Sequence, residues 1–240
     1  MVVDDWGVIE YREAWGRQRE AVARLQRGDR RYEKGDGIAD AHADADASAV
    51  DDCERIVVCE HPHVYTLGFH GNEANLIASE ERLRALGAEC VRIERGGDIT
   101  YHGPGQVVVY PIIDLRRHRL GVKQYIETLE RAVIRLLDEY GIAASSNSEA
   151  IGVWLDWETP TARKICAIGV KVSHGVTMHG LALNVNTDLS MFSLINPCGF
   201  TDKGVTSMAV EKGMPLDMKL VKSRFAEILV SELSLNYDAV

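Results

Sequence analysis

A thiol and an amine are the side chains of this sequence most suited to covalent chemistry. Cys198 stands in Asn196-Pro197-Cys198-Gly199-Phe200, where the flanking proline and glycine put the thiol on a turn instead of inside a regular element. The other cysteines, Cys53, Cys59, Cys90 and Cys166, lie in apolar or strand-like surroundings and read as buried reduced thiols. The set is odd in number and holds no CxxC pair, so neither a disulfide framework nor a zinc ribbon is suggested. Lys164 opens a run in which strand alternation places Lys164, Cys166, Ile168, Val170 and Val172 on one face and Ile165, Ala167, Gly169, Lys171 and Ser173 on the other. A lysine at the start of an apolar face either snorkels to water or loses hydration and seeks an anion. Were Lys164 to approach Cys198, its ammonium would stabilise a thiolate, the form that a reference pKa near ~8.5 makes scarce at neutral pH.

A second polar group lies in Arg95-Gly96-Gly97-Asp98-Ile99-Thr100-Tyr101-His102-Gly103-Pro104-Gly105-Gln106. Its four glycines and proline predict a backbone held in turns around a substrate that needs polar contacts. His102 suits either a base or a residue that holds this loop, and His179 suits a residue that orients Lys164 or a backbone carbonyl. His61 and His63 have no further ligands at a recognisable spacing, so no metal is expected and a loop-structuring role is preferred.

These residues need elements to position them. Strand signals run over Arg55 to Cys59, Val64 to Leu67, Cys90 to Ile93, Gln106 to Ile113 and Val153 to Trp157, and Lys164 to Ser173 with Thr177 to Asn186 form a hairpin about His174-Gly175. Helices are predicted from Tyr11 to Gly28, from Ser79 to Gly87, over Val122 to Tyr140 with Gly141 as stop, and around Val221 to Leu229 with Asp217 at the start. Without a regular βαβ repeat, the expected fold is α+β, a mixed β-sheet flanked by helices in one catalytic domain over residues 1–240. Residues 29–52, polar and alanine-rich, read as a flexible insertion; His42, Asp44 and Asp46 within it read as a solvated tract rather than a cation site.

At 240 residues with 46% hydrophobic content the chain can bury a sizeable core. Its net charge of -9 argues against a nucleic-acid binder that neutralises phosphates. With no apolar run long enough to span a bilayer and no signal-like start, the expectation is a cytoplasmic protein with no membrane partner.

Taken in order, Glu60-His61-Pro62-His63-Val64-Tyr65-Thr66-Leu67-Gly68, the Arg95–Gln106 stretch, Arg163-Lys164-Ile165 with Gly169-Val170-Lys171-Val172, Met178-His179-Gly180-Leu181-Ala182-Leu183-Asn184 and Asn196-Pro197-Cys198-Gly199 resemble the signatures of the lipoyl(octanoyl) transferases. The resemblance covers most of Cys53 to Val210. It implies the fold of the biotin/lipoate protein ligase catalytic domain, and an enzyme that moves an octanoyl group from acyl carrier protein to a lysine of lipoyl-accepting domains in lipoate biosynthesis. Those acceptors would be the lipoyl domains of 2-oxoacid dehydrogenases and the glycine cleavage H protein. It further implies Cys198 as the nucleophile that becomes an acyl-thioester and Lys164 as its partner in proton transfer. Arg95, Gly96, Gly97, Asp98, Ile99, Thr100, Tyr101, His102, Ala167, Ile168, Gly169, Gly180, Leu181 and Ala182 would line the acyl pocket, with His179 in support. The glycines would let backbone approach the acyl chain closely. No cofactor is implied.

Two departures concern how partners are engaged: His63 replaces a second proline, and Phe69-His70 replaces a basic pair. A basic patch at Arg116, Arg117, His118 and Arg119 is expected to meet the acidic carrier protein. The alternatives are an ATP-dependent lipoate or biotin protein ligase, which needs a lysine but no acyl-carrying cysteine, and a non-catalytic carrier-protein-binding module.

Overall fold

The β-branched and aromatic runs of the chain collect into two sheets. In the computed structural model residues 1–33, 53–196 and 203–234 are described. The strands are β1 (Val2–Val8), β2 (Arg55–Glu60), β3 (Val64–Leu67), β4 (Glu89–Arg92), β5 (Ile99–His102), β6 (Gln106–Ile112), β7 (Ser145–Ser146), β8 (Val153–Leu155), β9 (Arg163–Ser173), β10 (Val176–Asn184) and β11 (Gly204–Val205). The helices are α1 (Tyr11–Glu33), α2 (Glu80–Ala85), α3 (Val122–Glu139), α4 (Met208–Lys212) and α5 (Met218–Ser234).

The larger sheet runs β1-β2-β6-β10-β9-β8-β7, with β11 joined to β9, and the smaller runs β4-β3-β5. Parallel pairs (β1 with β2, β11 with β9, β3 with β4) stand among antiparallel ones, so both sheets are mixed. This is the α+β arrangement that the sequence predicts. On one face of the larger sheet α3 and α5 bury Leu129, Val133, Leu136, Phe225 and Leu229 against Val107, Val109, Leu181 and Leu183. On the other face α1 packs Ala14 and Leu25 with Val57, Cys59, Val108 and Tyr110. Alternation along β6 thus sends Val107 and Val109 one way and Val108 and Tyr110 the other.

Local chemistry sets the boundaries. The Ser79 hydroxyl accepts from the Arg82 N–H at the start of α2, and Gly87 takes a φ of +63° after its end. The Asp217 carboxylate accepts from the Lys219 and Leu220 N–H groups at the start of α5. In the β9–β10 hairpin His174 and Gly175 both have positive φ, 50° and 84°, which matches a two-residue turn to the twist of its strands.

Four departures from the sequence reading stand out. β1 pairs along β2 although only its neighbour carries a strong strand signal. α1 continues through Gly28 to Glu33, into the segment read as an insertion, since one interior glycine costs a helix only about 1 kcal/mol; residues 34–52, including His42, Asp44 and Asp46, lie outside the described residues. Ile99–His102, inside the glycine-rich stretch, is a strand of the smaller sheet, held by pairing with β3.

The fourth departure is in β9. Val153 pairs with Cys166 but Trp154 pairs with Lys164, so Ile165 and Cys166 together oppose one residue of β8. This β-bulge breaks the alternation: Ile165 and Cys166 both enter the α3 side of the core, and Lys164 is turned to the face that carries Trp154. The expectation that Lys164 shares a face with Cys166 is corrected accordingly.

Candidate active site

A cavity of about 480 Å³ lies over β6, β9 and β10, within the roughly 300–1,000 Å³ range of small-molecule clefts. Lys164, Ala167, Ile168, Gly169, His179, Gly180, Leu181 and Ala182 come to its wall from the hairpin, and Arg95, Gly96, Gly97, Asp98, Ile99, Thr100 and His102 from the glycine-rich stretch. Tyr101 turns away: it is fully buried in the core of the smaller sheet, where its hydroxyl meets His63 Nδ1 at 2.7 Å. Cys198 lies outside the described residues. Lys203, Gly204 and Val205, which follow it closely in the chain, line the cavity.

The 95–98 loop is a strap between the two sheets. The buried Arg95 guanidinium donates to the Thr66 carbonyl at 2.7 Å and to the Thr66 hydroxyl at 3.0 and 3.2 Å, while the Gly96 N–H donates to the Val170 carbonyl at 3.0 Å. Arg95 is therefore fixed to β3 and its loop to β9. Asp98 accepts from the Asn72 N–H and from the Asn75 amide, which ties down the loop's far end.

Gly180, Gly169 and Gly68 also stand where backbone approaches backbone closely. A Cβ on Gly180 would stand 2.1 Å from the Val109 carbonyl oxygen, one on Gly169 3.0 Å from that of Gly96, and one on Gly68 2.3 Å from that of Gly97. Their missing side chains admit strand against strand and loop against strand. The apolar side chains of the lining come from residues such as Val108, Ile168, Leu181, Ala182 and Phe192.

Behind the loop runs a buried polar relay. Gln106 Nε2 donates to Asn184 Oδ1 at 2.9 Å and to the Tyr101 carbonyl, so its Oε1 is left to accept from His102 Nδ1–H at 2.8 Å. His102 Nε2 is then the acceptor, 3.4 Å from the Thr66 hydroxyl. Burial, with His61 next, lowers His102 to about 3, so the ring is neutral and holds the loop. Asn184 Nδ2 donates to the Thr206 carbonyl, and the Thr206 N–H donates to the Lys164 carbonyl at 2.9 Å. The relay thus ends on the backbone of Lys164.

His61, also buried, spans Ile9 O and the Tyr110 hydroxyl, both at 2.7 Å, which fixes the β1–α1 junction. His179 differs from both. Its φ is +62°, its N–H donates to Gln18 Oε1 at 2.9 Å, and neither ring nitrogen has a hydrogen-bond partner although the residue is 2% exposed. It orients neither Lys164 nor a carbonyl, and burial, then Arg95, lowers its ring to about 3.

Lys164 Nζ donates to the Ile151 carbonyl at 3.2 Å and stands 4.5 Å from the centroid of the Trp154 ring. Val205 pairs with Lys164 in parallel, so the chain just downstream of Cys198 is laid along the lysine's own strand. None of the four described cysteines lines the cavity; Cys59 and Cys166 are fully buried, and burial raises both thiols. Among the described residues no cluster of His, Cys, Asp or Glu could hold a metal. The basic patch is not at this site: His118 is fully buried against Glu54 at 2.9 Å, Arg116 is paired with Asp114, and none of Arg116, Arg117, His118 or Arg119 touches the cavity.

Sequence reasoning passed over Tyr11, Tyr110, Trp154, Phe192 and Asn184, which all line the cavity. Asn184 carried a readable signal, a polar residue directly after the apolar run Leu181-Ala182-Leu183. Tyr11 did not, because only the packing of α1 brings it here.

This architecture is that of a ligase-type catalytic domain. Residues 41–230 match the family model described as the lipoyl protein ligase A/B catalytic domain. A bipartite lipoate protein ligase solved with its E2 lipoyl domain from Thermoplasma acidophilum shares the fold, with a TM-score of 0.56, 15% identity, and 98% of this chain and 82% of that one covered. The biotin protein ligase of Aquifex aeolicus with biotin and ATP does so too, with a TM-score of 0.51, 11% identity, and coverage of 100% and 72%. The octanoyltransferase of Bacteroides fragilis is 50% identical over 232 residues, 97% of each chain. The chain belongs to the octanoyltransferase family, and is an acyltransferase of lipoate biosynthesis. No helix among the described residues is long and apolar enough to cross a membrane.

Proposed function

We propose that this protein takes an octanoyl group from the thioester of acyl carrier protein, holds it as a thioester on Cys198, and passes it to a lysine of lipoyl-accepting domains. Lipoyl domains of 2-oxoacid dehydrogenases and the glycine cleavage H protein are the acceptors, and the cytoplasm is the site of action. The whole of residues 1–240 serves as one catalytic domain, with residues beyond α1 up to Asp52 as an insertion apart from the chemistry. The observation that carries this reading is the parallel pairing of Val205 with Lys164, which brings the downstream flank of Cys198 to the one lysine on the hairpin part of the cavity wall.

In the first half-reaction the Cys198 thiolate attacks the donor carbonyl, a tetrahedral oxyanion forms and collapses, and the carrier's thiolate leaves and takes up a proton. The Lys164 ammonium stabilises the attacking thiolate and supplies that proton. In the second, the neutral amine of the acceptor lysine attacks the Cys198 thioester. Its proton passes to the now neutral Lys164, and the thiolate is released as the amide forms. Thioester exchange is nearly isoenergetic, while amide formation drives the sequence forward. The oxyanion needs preorganised donors. Gly180, Leu181 and Ala182 sit in β10, which is paired on both sides, so N–H groups beside Cys198 are the better candidates.

The apolar wall gives the acyl chain about 0.8 kcal/mol for each methylene it buries. His179 stands on that wall with two ring nitrogens that have no hydrogen-bond partner in the fold. The test is transfer from octanoyl carrier protein to a purified lipoyl domain without ATP. The reading requires an octanoylated acceptor; product only from free octanoate and ATP would make the protein a ligase instead.

A further inference from the structure

Beneath Lys164 lies a carboxylate that the transfer chemistry leaves unused. Glu130 projects from α3, is 6% exposed, and accepts from the Gly152 N–H at 3.0 Å. That N–H belongs to the same peptide unit as the Ile151 carbonyl, which accepts from Lys164 Nζ at 3.2 Å on its other side. The trans peptide points its donor and its acceptor in opposite directions, so Glu130 and Lys164 grip one planar group from its two ends. The position tolerates no other residue well: Gly152 has a φ of +122°, and a Cβ there would stand 2.6 Å from the Cys166 carbonyl oxygen and 3.4 Å from Lys164 Cε. A charged acceptor polarises the peptide, which makes its carbonyl a better partner for the ammonium.

We propose that Glu130 is a positioning residue for Lys164, acting through the Ile151–Gly152 peptide to aim the ammonium into the cavity and to hold its charge. The assignment rests on the role of Lys164 given above. Burial raises the Glu130 carboxyl, with Glu127 adding to this, while the Gly152 N–H and Lys164 draw it back toward the ionised form. Cys166 on β9 lies within reach of both charges, and Glu149 and Lys203 stand on the same cavity wall as Lys164.

Glu130→Gln keeps an acceptor for Gly152 and removes the charge. Its KM for carrier protein should equal that of the wild type, its kcat should fall several-fold, and the basic limb of its kcat profile should move to lower pH, because an ammonium without a nearby carboxylate gives up its proton more readily. Glu130→Ala leaves the Gly152 N–H without its partner and should lose about tenfold or more in kcat, at a smaller cost in KM. Should the alanine variant not fold, the glutamine variant decides alone. Lys164→Met serves as the reference. A Lys164→Met enzyme that transfers at the wild-type rate overturns the reading of Lys164, and this assignment with it. An inactive Lys164→Met enzyme beside a Glu130→Gln enzyme with the wild-type kcat and pH profile overturns the Glu130 assignment alone.

Discussion

Trp154 and Lys164 face each other across β8 and β9, with the ammonium 4.5 Å from the indole centroid. The bulge formed by Ile165 and Cys166 makes this pairing possible, since regular alternation would have turned the lysine toward α3. The indole is itself held by its Nε1–H, which donates to the Ala150 carbonyl at 2.9 Å, and Trp157 packs on it edge-on at 4.9 Å. The amine is thus confined by an aromatic face on one side and the Ile151 carbonyl on another.

Replacing Trp154 should therefore act on catalysis more than on substrate binding. A cation over an aromatic face is worth about 0.5–2 kcal/mol, so Trp154→Leu should lower kcat roughly 2- to 30-fold, and Trp154→Phe less. Steady-state transfer to a lipoyl domain measures this; an unchanged kcat in Trp154→Leu would remove the aromatic from the account.

Gly152→Ala should be destabilising. Its backbone conformation costs a residue with a Cβ about 1–3 kcal/mol, and the new methyl meets the Cys166 carbonyl. A drop in Tm is expected, together with loss of activity in the folded fraction, since the same shift disturbs the Ile151 carbonyl beneath Lys164.

Much of this fold is legible in the sequence, and the parts that are not share a cause. The α3 stripe from Tyr125 to Leu137, the hairpin about His174-Gly175 and the cap at Ser79 follow from local periodicity and turn chemistry. The bulge at Ile165 does not, because it depends on how β8 registers against β9, two segments joined through Asp156 to Ala162. β5 is likewise a strand only because β3 pairs with it residue for residue. The candidate site was visible as motifs in Arg95 to His102 and Gly180 to Ala182, whereas Tyr11 and Glu130 reach it by long-range packing that no spacing announces.

Stability should fall on mild acidification. His61 is lowered to about 4, and His102 and His179 to about 3, in each case chiefly by burial, against about 6.5 in the unfolded chain. The unfolded state binds more protons between these limits, so stability is full above about pH 6.5 and declines as pH falls toward 3, with a limiting slope of about 1.4 kcal/mol per pH unit for each such histidine. Urea midpoints measured from pH 7.5 to 4.5 check this. His102→Gln, which replaces a titrating ring by a neutral amide, should show a shallower decline, and an identical one would mean that the His102 ring takes up its proton as readily in the fold as in the unfolded chain.

His179→Leu separates stability from function. It removes two ring nitrogens that have no partner in the fold, so the change in stability should stay within about 1 kcal/mol despite the positive φ. If the ring addresses the substrate, kcat/KM should fall about tenfold. Equal activity would assign His179 to packing alone.

An acyl group held on Cys198 beside Lys164 is detectable by intact mass spectrometry after the protein is mixed with octanoyl carrier protein without ATP. A single octanoyl adduct is expected, labile to hydroxylamine, absent from Cys198→Ser and slow to form in Lys164→Met. An adduct that persists in Cys198→Ser, or efficient transfer by that variant, would contradict it.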